Sequence, residues 1–148
     1  MTRMAFRDEA IPGGKILMVI DTSALAAIFF REPERDIFRA AILEANSRLI
    51  SSATVLEAGM VIESRRGGGA GREFDLFAVR ANFQVIAVDA EQAELARSGW
   101  RRYGKGRHPA ALNFGDCFVY ALAKTTGEPI LAKGTDFART DADVCKCS

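Results

Sequence analysis

The sequence predicts a single α/β domain with a central parallel sheet flanked by helices on both faces. Three observations carry this reading. Short runs rich in apolar residues recur at 16–20, 48–51, 84–88 and 129–132, as expected of strands buried in a sheet. Helical stretches with an apolar stripe separate them, and strands alternating with helices imply parallel pairing through crossovers. The chain has 148 residues, 49% of them hydrophobic and 26% charged, which suits one globular domain with a real core.

Residues 1–15 are polar, carry Pro12, Gly13 and Gly14, and show no helical or strand period. They read as a flexible extension, with the domain spanning 16–144 and a short tail at 145–148. Met18 opens the first strand and is a candidate translation start, so a chain beginning there is expected to keep most of its stability. The first strand, 16–20, stops at Asp21, and a helix follows over 24–30. Pro33 interrupts it, and 34–45 restarts with Ile37, Phe38, Ala41 and Ile42 on one stripe. After the second strand a long helix spans 53–66, with Leu56, Met60 and Ile62 assigned to its buried edge. The glycine-rich stretch at 67–71 reads as a flexible break before a helix from Arg72 to about Ala81. The third strand leads into a helix over 90–103, then a basic loop at 104–109. A helix over 113–125, with Phe114, Phe118 and Leu122 on its apolar side, precedes the fourth strand.

Several function classes find little support. The single histidine, His108, leaves scant material for imidazole catalysis or a His-rich metal site. Ser23 has no histidine partner in a recognisable nucleophile motif. The glycines at 67–71 lack the Lys-Ser/Thr of a phosphate-binding loop and do not follow a strand. Three cysteines make an odd count; Cys117 falls in an apolar helix, and Cys145 and Cys147 form an isolated C-x-C, so reduced thiols and a cytoplasmic setting are expected. No apolar run approaches the roughly 20 residues of a membrane span, and the N-terminus is a poor secretory signal. The net charge of +1 is uninformative, but the segment 95–110 carries Arg97, Arg101, Arg102, Lys105 and Arg107 without one acid. Such a run suits phosphate contacts or a plain solvated helix face.

Four carboxylates stand out: Asp21 after the first strand, Glu57 on an otherwise apolar helix, Asp116 at the start of another, and Asp136 four residues past the last strand. Each has a local structural explanation. Asp21 can cap the helix after it, Glu57 can sit on a helix surface, Asp116 can complete a capping box with Asn113, and Asp136 can serve a turn. Those explanations do not say why all four should meet at one end of a sheet, where open α/β folds place their sites. Carboxylates gathered without bases repel one another unless a divalent cation sits among them. Hard oxygen donors suit Mg²⁺ or Mn²⁺, ions that assist phosphodiester hydrolysis, so a metal-dependent nuclease is the expectation.

The segments VIDTSALAAIF, SATVLEAGMVI, YGKGRHPAALNFGDCFVYALAK and PILAKGTDFARTD, in that order and spacing, resemble a PIN-domain ribonuclease of the VapC type, the toxin of a toxin–antitoxin pair. The resemblance covers about Met18 to Val144 and implies a PIN-like fold. It further implies that Asp21, Asp116 and Asp136 hold Mg²⁺ or Mn²⁺, and that Glu57 helps hold the metal or orients the attacking water. Thr22, Ser23 and Thr135 are implied as polar supports, and Asp141 as a further acidic position that only some relatives share. RNA cleavage by water attack, a 5′-phosphate product, a homodimer and a VapB-like antitoxin partner follow by the same route. Arg101, Arg102, Lys105 and Arg107 are the candidate RNA contacts. A non-catalytic RNA-binding module and a DNA-directed nuclease of the same fold stay open as alternatives.

Overall fold

The computed structural model describes residues 16–147; the expectation for residues 1–15 lies outside them. Four strands form one parallel sheet: β1 (Leu17–Ile20), β2 (Ser47–Ser51), β3 (Phe83–Ile86) and β4 (Ile130–Leu131), in the order β3-β2-β1-β4. Val19 pairs with Leu49 on one side and with Ile130 on the other, so β1 lies inside the sheet. All four of its residues are buried, which is why the run is continuously apolar rather than alternating.

The helices are α1 (Thr22–Phe29), α2 (Arg35–Glu44), α3 (Ser52–Arg66), α4 (Gly68–Arg80), α5 (Ala90–Tyr103) and α6 (Phe114–Thr126). Successive side chains of a strand point to opposite faces, and this alternation divides the core in two. Met18, Ile20 and Ile50 pack with Leu25, Phe29, Ile42, Ile62 and Phe74 from the first four helices. Val19, Leu49 and Ile130 pack with Ala96, Val119 and Leu122 from α5 and α6. Both faces are therefore covered, as the apolar strands require.

Four sequence expectations need correction. The glycine-rich stretch is no linker. Gly67, at φ 88°, ends α3 and starts α4 in a single residue, and 68–71 form the first turn of α4. Ala70 is buried there, and a Cβ on Gly71 would come within 2.5 Å of Glu63, so small residues let the two helices meet. The buried line of α3 is Thr54, Ala58 and Ile62, while Leu56 and Met60 face outward at 65% and 62% exposure. Spacing alone fixed the pitch of that helix and missed its rotation. Phe114 is likewise exposed (82%), and α6 buries Cys117, Val119, Tyr120 and Leu122 instead. Ile37 is exposed, leaving Phe38 and Ile42 to anchor α2.

The described end of the chain returns to the sheet. Ile130 donates its N–H to the Asp143 carbonyl and accepts one from Cys145, so 143–145 run beside β4. All three cysteines are free thiols. Among the described residues no helix is long and apolar enough to cross a membrane.

Candidate functional site

β1 ends at Asp21, whose N–H donates to the Leu131 carbonyl of β4 at 3.0 Å. The same residue caps α1, its Oδ2 accepting from the Ser23 N–H at 2.9 Å. Capping does not account for its surroundings, because Asp21 is buried. Desolvation, with the neighbouring Glu57 charge added, pushes its carboxyl above the ordinary range despite the bonds from Ser23.

Glu57 stands half-buried on α3. Its Oε1 accepts a hydrogen bond from the Thr22 hydroxyl at 2.6 Å. Asp116 enters from the first turn of α6 and completes a capping box: its N–H donates to Asn113 Oδ1 at 2.8 Å, and its Oδ2 accepts from the Asn113 N–H at 2.9 Å. Burial pushes Asp116 up to about 6, and the charges of Asp21, Glu57 and Asp136 push in the same direction. Those three charges are therefore near enough to Asp116 to act on it. Asp136 stands exposed just before a turn of 3₁₀ helix (Phe137–Arg139), which the buried Phe137 pins to the core.

The supporting residues divide. Thr22 fixes Glu57. Ser23 Oγ accepts the Lys133 N–H at 2.8 Å and so ties α1 to the segment leading to Asp136. Thr135 is exposed in that segment and makes no hydrogen bond among the described residues. Asp141 is engaged elsewhere: it accepts from the Tyr120 hydroxyl at 2.8 Å and pairs with Lys124 at 3.2 Å and Arg102 at 3.4 Å. Arg102 is thereby committed to a structural contact, and Arg107 stacks over Trp100 while donating to the Arg101 carbonyl. Lys105 lines an apolar groove of about 620 Å³ with Trp100, Phe114 and Phe118, between α5 and α6. His108 accepts from the Ala110 N–H, a loop-stiffening role.

None of the four site carboxylates forms an ion pair among the described residues, whereas Asp141, Glu32 and Glu34 each pair with a lysine. Uncompensated acid at one sheet edge is what a hard cation relieves. Among the described residues no three His, Cys, Asp or Glu side chains stand close enough together to hold a metal ion by themselves. The all-oxygen donor set fits Mg²⁺ or Mn²⁺ and disfavours zinc. Gly115 received no weight in the sequence reading, yet a Cβ there would fall 2.6 Å from both Oε1 and Cδ of Glu57, and closer still to Oε2.

A parallel sheet of this order, with acidic residues at its carboxyl edge, places the chain in a fold class that comparison identifies. The PIN domain family model matches residues 18–143. Ribonuclease VapC of Mycolicibacterium smegmatis is 54% identical over 124 residues, covering 84% of this chain and 96% of that one. The chain belongs to the PIN-domain family and, within it, to the VapC ribonucleases. Among solved structures, Mycobacterium tuberculosis VapC20, described as a sarcin–ricin loop cleaving toxin, superimposes with a TM-score of 0.72 at 19% identity. The match covers 87% of this chain and 98% of that one. A toxin–antitoxin complex from Klebsiella pneumoniae gives a TM-score of 0.64 at 20% identity, covering 86% and 96%. These two likenesses concern the fold.

Proposed function

We propose that the protein is a metal-dependent endoribonuclease toxin, with Asp21, Glu57, Asp116 and Asp136 as its centre and a VapB-like antitoxin as its cytoplasmic partner. The observation that carries this reading is that Asp21, Glu57 and Asp136 all act on Asp116, whose partly buried carboxyl is raised to about 6, while none of the four forms an ion pair among the described residues. A binding module would gain nothing from unpaired acid facing phosphates, which argues against a non-catalytic role.

Asp21 and Asp116 are the residues to hold the cation, with Asp136 a third position reached directly or through water. Mg²⁺ or Mn²⁺ would neutralise the developing charge on the scissile phosphate and acidify the attacking water. Glu57, held by the Thr22 hydroxyl, would help hold the cation or orient that water. Ser23 keeps the Asp136 segment in register through Lys133. Of the four candidate RNA contacts, Arg102 and Arg107 are engaged within the protein, which leaves Arg101 and Lys105 to meet the RNA backbone.

RNA as substrate is supported by the ribonuclease relative and by the sarcin–ricin loop that VapC20 is described as cleaving. An antitoxin partner is supported by the toxin–antitoxin complex among the fold neighbours. The outward apolar side chains Leu56, Met60 and Phe114 suit a homodimer or an antitoxin contact. The direct test is cleavage of RNA after chelation and after Mg²⁺ is restored, with end analysis of the products. Loss and recovery of cleavage with 5′-phosphate ends is expected; undiminished cleavage in chelator refutes metal dependence, and cleavage of DNA alone favours the DNA-directed reading.

A further inference from the structure

We infer that Gly115 is a positioning residue for Glu57: its missing side chain is the space in which the Glu57 carboxylate is seated. This rests on the reading of Glu57 as part of the metal centre. Gly115 lies in the first turn of α6, between the exposed Phe114 and Asp116. Its backbone is not left-handed, so the conformation itself does not call for glycine. In a helix glycine is also less favourable than alanine, so its presence needs another cause.

The cause is steric. A Cβ at this position would stand 2.6 Å from Oε1 and Cδ of Glu57, and closer to Oε2, distances that real Cβ atoms do not show. The carboxylate cannot give way freely, because Oε1 is held from the other side by the Thr22 hydroxyl at 2.6 Å. Glu57 is thus wedged between a donor on α1 and a bare Cα on α6. The wedge also sets how closely α3 approaches the turn carrying Asp116, so two acids from different helices are brought into one site by the same gap. An added methyl must push Glu57 off Thr22 or push α3 away from α6, and either movement takes the carboxylate from its place beside Asp116.

The test is a mutant cycle on the full chain, read by Mn²⁺ titration calorimetry and by melting temperature, using Gly115→Ala, Glu57→Asp and the pair combined. Gly115→Ala is expected to weaken Mn²⁺ binding about tenfold or more while leaving the melting temperature unchanged or higher, since alanine suits the helix. Glu57→Asp shortens the side chain and withdraws it from the new methyl, so Gly115→Ala should cost nothing further in that background. Additive losses, or wild-type Mn²⁺ affinity in Gly115→Ala, overturn the inference. If Gly115→Ala fails to fold and the combined variant folds, the clash with Glu57 is demonstrated directly; if both fail, the glycine serves the helix alone and the inference is wrong. Glu57→Gln separates this from the reading beneath it: unchanged Mn²⁺ affinity there removes Glu57 from the centre altogether.

Discussion

The Thr22 hydroxyl donates to Glu57 Oε1 at 2.6 Å, joining the first turn of α1 to the middle of α3 across 35 residues of sequence. The bond holds a carboxylate at the carboxyl end of β1 without neutralising it, because the donor is uncharged. Thr22→Val keeps the shape and removes the hydroxyl. It is expected to lower the cleavage rate roughly tenfold, about 1.4 kcal/mol, through loss of one hydrogen bond to a charged group. Binding of RNA should change little. A rate equal to wild type would show that Glu57 needs no such support.

Asp116 gives a prediction for pH. Its folded pKa of about 6 lies above the ordinary 3.8, so between those values the folded chain binds more protons than the unfolded one. Stability then falls as pH rises through that window. Without metal, Asp116→Asn should melt several degrees above wild type at about pH 7.5, with the gap closing toward about pH 4. Mg²⁺ should raise the wild-type melting temperature more than that of the variant. Melting curves that stay parallel across the range would contradict the burial and repulsion argued for this carboxylate.

Asp141 behaves in the opposite sense. Burial pushes its carboxyl up, but the Tyr120 hydroxyl, Lys124 and Arg102 outweigh that and hold it below the ordinary range. Its contribution is present above about pH 4 and disappears as pH falls through the lowered value. Asp141→Ala should cost about 1–2 kcal/mol of stability at neutral pH and leave metal-dependent cleavage per folded molecule unchanged. A specific loss of cleavage with normal stability would move Asp141 into the site.

The basic run can now be divided. Arg102 pairs with Asp141 and Arg107 lies on Trp100, so Arg101 and Lys105 are the bases to replace. Changing both to Ala should flatten the log–log salt dependence of RNA binding by about one to two units. An unchanged slope assigns the run to a solvated face.

The boundary of the domain can be tested by shortening the chain. Ile16 accepts from the Asn46 N–H at 2.7 Å and donates to Asn46 Oδ1 at 2.9 Å, while Leu17 is buried beside Ser47. A chain starting at Lys15 keeps these contacts and should melt with the full protein. One starting at Met18 should lose roughly 2–4 kcal/mol, the value of a buried leucine and a pair of backbone bonds, more than the sequence led one to expect. Equal melting of the two shortened chains would show that β1 begins at Met18.

Much of this was readable in advance, for identifiable reasons. Buried parallel strands are apolar on both faces, so β1 and the acid ending it are marked by composition alone. Asn113 and Asp116 announce a helix start by type and spacing, and the structure contains that reciprocal cap. Helix rotation was not readable: Leu56 and Met60 share a face with the right period, but Ala58 and Ile62 are the ones that meet the core. Gly67–Gly71 misled because composition suggests a linker, whereas close helix packing uses the same small residues. Gly115 was overlooked because its role depends on Glu57, distant in sequence, filling the space it leaves.

The central claim is that Asp116 ionises to hold a catalytic cation. It is tested most directly by RNA cleavage with Asp116→Asn at saturating Mg²⁺, alongside wild type and with the fold checked by circular dichroism. The substitution preserves the acceptor for the Asn113 N–H and removes only the charge. Cleavage is expected to vanish while the spectrum stays that of the wild type; cleavage by the variant at the wild-type rate would contradict the account.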